Sequence, residues 1–592
     1  MDRKTISILL VSIGLLFTWP MLVNKIFPPP PAPPKTTNAA PIVASVPNPE
    51  SAPVLKASTN APAPRRPAPA PGADQKLLLE DSETRYTVSA FSGGLSLIEL
   101  KNYPASIDCR TKGTAATNQL AALNHNAPSS IFALNGGPEV EGDGVFALTR
   151  TADGVRAEKS LSNGLHLIKE YKLGSNSLLS ASIRFENPTG QPVLLPAHEL
   201  VVGTATPMTR HDESLTLGFT WFDGATPHRL TESWFANSTL GCIPGTPRTE
   251  YQEGSSNVVW VAAHNQFFSL IAVPTQPGLR LAARHAPLPP PTPEEIAADS
   301  QVARQPFGFE TAIVYPAAAI APQQQVVHQF DLYAGPKEYN TLSRLPKNQD
   351  LIMGFDGFTG PFAKALLLSM NAVYTFVPSY GFAIILITII IKLVFWPLTT
   401  ASTRSMKRMA ELQPQMKALQ EKYKDDPKKM NMKLMEFMKE NKVSPLGGCL
   451  PMLLQIPVFF GFYSMLQSAI ELRGASFLWA CDLSQADTVA VIPGVDFPIN
   501  PMPLLMGVTM LWQARLTPPS PGMDPMQQKI MKYMPLMFMF ILYKFSAGLT
   551  LYWTVQNLLT IAQMKLTKTN SPATAAKIAI VPTKKSAPRK KP

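Results

Sequence analysis

Hydrophobic and polar positions change rhythm several times along the chain, and each change marks a segment. Ile6 to Val23 is an 18-residue run without a charge, preceded by Arg3 and Lys4 and followed by Lys25. That length approaches what hydrocarbon requires, so residues 1–27 are expected to form an N-terminal transmembrane anchor, bent at Pro20. No small-x-small site follows closely, which favours a retained anchor over a cleaved signal peptide. Residues 28–74 hold Pro, Ala, Ser and Asn with almost no large apolar side chains, a composition that makes a stiff tether and no core. From 75 to 345 the pattern becomes short alternating or β-branched runs, such as Leu165 to Lys172, Ser177 to Phe185, Val258 to Ala263 and Phe267 to Val273. Turn clusters such as Asn187-Pro188-Thr189-Gly190 separate them, so an all-β domain is predicted. His285 to Pro306 reads as a surface insertion in it.

After Gly360 the rhythm lengthens to helical spacing. Residues 360–378 mix apolar positions with Lys364, Ser369 and Asn371, which suits an amphipathic helix in the interface plane. Apolar segments at 379–399, 448–470, 501–517, 530–546 and 547–565 are read as five further spans, giving six with the anchor. The fold class expected is an α-helical integral membrane protein with six transmembrane helices, an all-β domain and a cytoplasmic helical hairpin. The hairpin occupies 400–447: Met409, Leu412, Met416, Leu419 and Tyr423 alternate spacings of three and four, Asp425-Asp426-Pro427 makes a turn, and Met430, Leu434 and Phe437 continue on a second helix. Pro414 should kink the first helix. Seven Met between 401 and 442 offer a pliable apolar face, either for varied partners or for packing the hairpin itself.

Composition changes this picture through the placement of charge. The chain has 592 residues, too many for one domain, with 53 Lys+Arg against 41 Asp+Glu. Residues 401–447 hold 11 Lys/Arg and the tail from Lys565 holds 8 without an acid, whereas the 471–500 loop holds Arg473 among four acids. Basic loops stay cytoplasmic, so both termini are expected inside. The β domain, all eight His, Cys109, Cys242 and Cys481 then lie outside the cytoplasm, where a disulfide is possible with its pairing open. The basic tail, 566–592, has ribosomal RNA or anionic lipid as possible targets beside its topogenic role.

Familiar catalytic chemistry is missing from the sequence. There is no G-x-x-x-x-G-K-[ST], H-E-x-x-H, C-x-x-C or G-x-S-x-G pattern, and no two of the eight His stand three to five residues apart. Neither a cofactor nor a metal is expected, and the histidines read as ordinary core or surface residues.

The spans themselves carry polar groups. Lys392 sits within the 379–399 span with Thr388 at i−4 on the same helix face. A cation at mid-bilayer costs about 2.5 to 3.5 kcal/mol on insertion scales, unless it snorkels toward the headgroups or faces a watery recess. Gln455 lies in the 448–470 span, and Trp553, Gln556, Thr560 and Gln563 recur at helical spacing in the last. Uncompensated polar groups in hydrocarbon should face one another, either gluing a dry bundle or lining the recess. None of the five C-terminal spans holds an Asp or Glu, which favours water as the partner of Lys392. The Pro501 to Leu516 run, at about 24 Å, is shorter than a hydrocarbon core of about 30 Å, so the bilayer should thin there. A cationic recess in a thinned membrane is suited to passing a polar segment of polypeptide.

These residues resemble the YidC membrane protein insertases of the YidC/Oxa/Alb group. The resemblance rests on Trp396-Pro397-Leu398-Thr399, Ser444-Pro445-Leu446-Gly447-Gly448-Cys449-Leu450-Pro451-Met452, Asp524-Pro525-Met526-Gln527-Gln528-Lys529-Ile530-Met531 and Ser546-Ala547-Gly548-Leu549, in family order between Gly360 and about Lys565. The anchor, tether and large β domain match the Gram-negative layout. The resemblance implies a β-supersandwich periplasmic domain, a hydrophilic groove open to cytoplasm and lipid, and insertion of nascent membrane proteins alone or beside the Sec translocon. It further implies that the cytoplasmic loops and tail meet the ribosome or signal recognition machinery. Lys392, Thr388, Gln455, Tyr552, Trp553, Gln556 and Thr560 are the expected groove residues, and Met409, Met416, Asp425, Asp426 and Pro427 the expected hairpin contacts. Two departures stand out: the family's groove cation is usually Arg, and the pair Tyr552-Trp553 replaces a second Tyr. The rival reading is a membrane-anchored periplasmic carbohydrate-binding or enzymatic protein, and a third is a small-solute transporter.

Overall fold

The computed structural model describes residues 74–107, 119–175, 177–208, 216–237, 245–293, 296, 305–441, 450–492, 497–517 and 525–567. The anchor, all of the tether but its last residue, the Ser444 to Cys449 motif, the tail from 568, Cys109 and Cys242 lie outside them. Cys481 is disulfide-bonded, and the other three cysteines all fall outside the described residues.

Residues 76–336 build two facing antiparallel sheets. The strands named below are β1 (Leu178–Glu186), β2 (His198–Ala205), β3 (Phe307–Tyr315) and β4 (Gln325–Pro336). The larger sheet has nine strands in the order Pro227–Thr231, Gly218–Phe222, Trp260–His264, Phe268–Pro274, β4, β1, His166–Leu173, Gly154–Ser160 and Ala147–Arg150. The smaller has five, in the order Glu250–Glu253, Arg280–Pro287, β3, β2 and Leu134–Asn135. A four-stranded meander over Lys76–Glu80, Thr84–Ser89, Leu95–Pro104 and Leu120–Leu123 joins the same core. The expected insertion starts later than His285, because His285 to Pro287 belong to a strand and pair with Phe309 to Phe307.

Alternation explains which residues face inward. In β1, Leu179, Ala181, Ile183 and Phe185 are buried while their neighbours are not. The strand Phe268–Pro274 is buried at every position because both its faces are covered. Phe268, Leu270 and Ala272 point into the sandwich core, and Ile271 and Val273 join a second cluster on the other side. The two sheets approach closely at Gly203, whose φ of 150° sits at a bulge and where a Cβ would collide with Leu270.

That second cluster runs without a break from the outer face of the nine-stranded sheet (Phe222, Trp260, Ile271, Val273) into the helices. These are α1 (Gly360–Phe376), α2 (Tyr380–Val394), α3 (Trp396–Glu411), α4 (Gln413–Lys422), α5 (Pro427–Glu440), α6 (Leu450–Ser468), α7 (Pro501–Leu516), α8 (Pro525–Ile541) and α9 (Ala547–Leu566). Polar bonds tie the β layer to this junction: Trp260 Nε1 donates to the Lys347 carbonyl at 2.9 Å, and Arg229 forms a bidentate pair with Asp356. Arg473, beyond α6, donates to the carbonyls of Pro104 and Ala105 at 2.7 and 3.0 Å. The β domain is therefore seated on the helical half through a shared core.

In the helical half, α9 packs against α7 and α2, α6 against α1, and α8 against α7. Among the described residues no single helix is long and apolar enough to cross a membrane. Only α1 and α2, which meet at 119°, meet that measure, and they do so as a pair. Beyond α2 the chain breaks at Phe395 before Pro397 and again at Leu412 before Pro414, as prolines near a helix start dictate. Helices α4 and α5 pack side by side around Met409, Met416 and Met438, with Leu412, Leu434 and Phe437 alongside. Asp426 caps α5, its carboxylate accepting from the Lys429 amide at 3.1 Å, with Pro427 at the first helical position.

A polar ladder between three helices

Lys392 lies in the last turn of α2 and is buried, with 5% of its surface exposed. Its ammonium donates to the Thr560 hydroxyl of α9 at 2.9 Å. The partner is a hydroxyl, not a carboxylate, and among the described residues no carboxylate pairs with the ammonium. One of three N–H donors is used by that bond.

The ladder continues along α9. Thr560 donates back to the Gln556 carbonyl at 2.7 Å, the Gln556 amide donates to Gln455 Oε1 of α6 at 2.9 Å, and Gln455 in turn donates to the Tyr552 hydroxyl. Thr560, Gln556 and Tyr552 fall on one face because they are four residues apart. Gln455, Gln556 and Thr560 are half-buried, which leaves one flank of the ladder open. Tyr552 is buried and stacks on Phe462 with centroids 4.2 Å apart. Trp553 is half-buried between Phe459 at 4.9 Å and Phe538 at 5.8 Å, forming an aromatic wall beside the ladder. Thr388 is placed differently: it is 1% exposed and its hydroxyl donates to its own helix, to the Ile384 carbonyl at 2.6 Å. A Thr so engaged offers no donor to a ligand.

A second polar knot closes the end of the bundle nearest the helix break, and of its members helical spacing marks only Gln563. The Gln563 amide donates to the Trp396 carbonyl and to the hydroxyls of Thr399 and Thr400 at 3.2, 2.6 and 3.0 Å. Lys407 donates to the carbonyls of Met564 and Thr567 at 3.0 and 2.7 Å, covering acceptors that the end of α9 leaves open. On the hairpin, Met409 and Met416 are core, Asp425 is exposed, and Met432 and Met435 present 59% and 67% of their surface outward. Among the described residues no group of three or more His, Cys, Asp or Glu could hold a metal ion.

Chemically, the arrangement is a cation and a set of amide and hydroxyl dipoles, half open, inside an apolar bundle. Such dipoles and such a charge are suited to binding and hydrating a polar group.

Two family models match the chain: one described as the YidC periplasmic domain over residues 78–367, and one described as the 60Kd inner membrane protein over 372–574. Among curated proteins, the membrane protein insertase YidC of Pelobacter propionicus is 46% identical over 259 residues, 43% of this chain and 47% of that protein. The membrane protein insertase YidC of Burkholderia cenocepacia is 39% identical over 312 residues, 52% of this chain and 51% of that protein. The matches thus span about half the length of these curated relatives. A solved structure of an active YidC insertase with its first transmembrane domain resolved aligns over 83% of this chain and 93% of that one, at 18% identity and a TM-score of 0.34.

Proposed function

Because the chain belongs to the YidC family, with a β-rich periplasmic-type domain joined to the inner-membrane-protein module, we propose that it is a membrane protein insertase and membrane chaperone of the bacterial inner membrane. The observation that carries the reading is the half-open ladder from Lys392 to Tyr552 within a bundle whose outer surface is apolar. Phe382, Leu393, Val508, Met537 and Phe540 are each more than half exposed on that surface. A buried ammonium beside a hydroxyl and amides gives a polar stretch of an incoming chain somewhere to rest, while its apolar stretch leaves for lipid. Burial at about 25 cal/mol per Å² of apolar area drives that exit.

In this reading six spans cross the membrane with both termini cytoplasmic, and 28–345 lies in the periplasm. Lys392 attracts an acidic or polar extracellular tail, Gln455, Gln556 and Thr560 hydrate it, and Tyr552, Trp553 and Thr388 shape the wall. Nascent membrane proteins are the substrates and membrane lipids the sink. The Sec translocon and the ribosome or signal recognition machinery are partners of the hairpin, through the Met409, Met416, Asp425, Asp426 and Pro427 region, and of the basic tail. A carbohydrate-binding or enzymatic role for the β domain is not favoured, since a mere anchor has no use for an intramembrane cation.

Site-specific photocrosslinkers at Gln556 and Trp553, with exposed Leu393 as control, should capture a stalled, ribosome-bound membrane-protein chain from the first two positions. Insertion of acidic-tailed substrates should survive Lys392→Arg and fall several-fold in Lys392→Glu. Equal insertion by the Glu variant, with no crosslink at either groove position, would sink the proposal.

A further inference from the structure

Two of the eight histidines, 130 residues apart in the chain, meet across the two sheets at one end of the sandwich. His198 opens β2 in the five-stranded sheet and is 2% exposed, while His328 lies in β4 of the nine-stranded sheet and is half-buried. Their Nε2 atoms are 3.3 Å apart. His198 Nδ1 lies 3.0 Å from the Pro196 carbonyl, which can only accept, so Nδ1 carries the proton and Nε2 presents a bare lone pair. Aromatic walls set both ring planes: Tyr315 of β3 lies 3.9 Å from His328, and Phe185 of β1 lies 5.2 Å from His198. Burial keeps both rings neutral, His328 being pushed down to about 3 with the neighbouring His198 adding to the effect.

We propose that His198 and His328 form a seat for one borderline divalent cation of the zinc class, which would bridge the two layers of the β domain with water completing its shell. The geometry meets three requirements of such a site. Two nitrogens 3.3 Å apart, each about 2.05 Å from a common centre, subtend about 107°, close to the tetrahedral angle, so their spacing matches that of two ligands on one ion. The outer nitrogen of His198 donates to a backbone carbonyl, the contact that fixes the tautomer of metal-ligating histidines. His328 is half-buried rather than enclosed, so solvent reaches one member of the pair, and water is the ligand left to complete the shell.

Proton bookkeeping closes as well. In the empty pair, His328 Nε2–H donates to the His198 lone pair. When the ion takes that place, the proton moves to His328 Nδ1 and none is released. No third protein ligand joins them among the described residues, so the site should be exchangeable rather than a permanent structural centre. Its effect is to hold β2 to β4, and hence sheet to sheet.

The test uses the full chain, untagged, in detergent micelles after chelator treatment, titrated with Zn²⁺ alone. Wild type should bind one equivalent more than His198→Ala or His328→Gln and should gain thermal stability with Zn²⁺ that both variants lack. His228→Ala, which removes a histidine paired with Asp223 elsewhere on the sheet, should keep that equivalent. Co²⁺ in wild type should give the intense visible bands of a tetrahedral ion, a readout that does not depend on a buried variant folding. Unchanged stoichiometry in His328→Gln, or a Co²⁺ spectrum of octahedral type, would overturn the assignment.

Discussion

Gln563, near the end of the last helix, donates to the Thr399 hydroxyl at 2.6 Å across the break that separates α2 from α3. With Lys407 it joins two elements 164 residues apart and fixes the direction in which the hairpin leaves the bundle. The break lies only three residues beyond Lys392, so the knot also holds the register of the cation.

Cutting this knot should loosen α3. Gln563→Leu takes the amide donor from the Thr399 and Thr400 hydroxyls and from the Trp396 carbonyl, which keeps a bond from the Thr399 hydroxyl at 3.3 Å, and each group left unsatisfied costs about 1–3 kcal/mol. Lys407→Met uncovers the carbonyls of Met564 and Thr567 in the same way. Amide hydrogen exchange over 399–411 should quicken roughly tenfold or more in both variants, about what 1.4 kcal/mol of lost protection produces. Unaltered exchange would mean that apolar packing alone holds α3.

The rungs of the ladder should act together. Gln455 is shared, accepting from Gln556 and donating to Tyr552, so either Gln→Leu change strips a partner from the other residue. In a double-mutant cycle of Gln455→Leu and Gln556→Leu, the summed single losses of stability should exceed the double loss by about 0.5–3 kcal/mol. Additivity within error would show that the two amides do not depend on each other.

A pH dependence is expected from the β domain. Lys169 is wholly buried, donates to the Ser92 and Phe132 carbonyls at 2.7 and 2.8 Å, and lies 4.8 Å from the Phe146 ring centre. Burial, with the like charge of Lys159 as a smaller cause, pushes it down from 10.5 to about 7. The unfolded chain therefore binds more protons than the folded one between about pH 7 and 10.5, and stability should rise with pH through that window. Lys337, also buried and pushed down to about 7, acts in the same direction. Denaturant unfolding of wild type and Lys169→Met at pH 7 and pH 9.5 should show a smaller gain in the variant. An equal gain would place the proton uptake elsewhere.

Much of the architecture is legible in the sequence. A period of two announced the strands of the β domain, helical spacing announced α4 and α5, and Pro397, Pro414 and Pro427 stand next to helix boundaries. Lys392 could be singled out because its charge stands in an apolar run, and the spacing of Tyr552, Gln556 and Thr560 put them on one face. These features are local: they follow from the pitch of the helix, the pleat of the strand and the missing N–H of proline.

What the tertiary structure decided is which groups meet. The apolar strand Phe268–Pro274 left open what covers its second face, and the answer is the junction leading into α1. Thr388 shares a face with Lys392, yet its hydroxyl goes to Ile384, while Thr560, 168 residues away, takes the ammonium. His198 and His328, without any spacing to mark them, stand nitrogen to nitrogen because two sheets close over one another. Periodicity along a chain constrains which way a side chain points; only the packing of distant elements against one another sets which partner it finds, because buried polar groups must be satisfied by whatever the fold brings within reach.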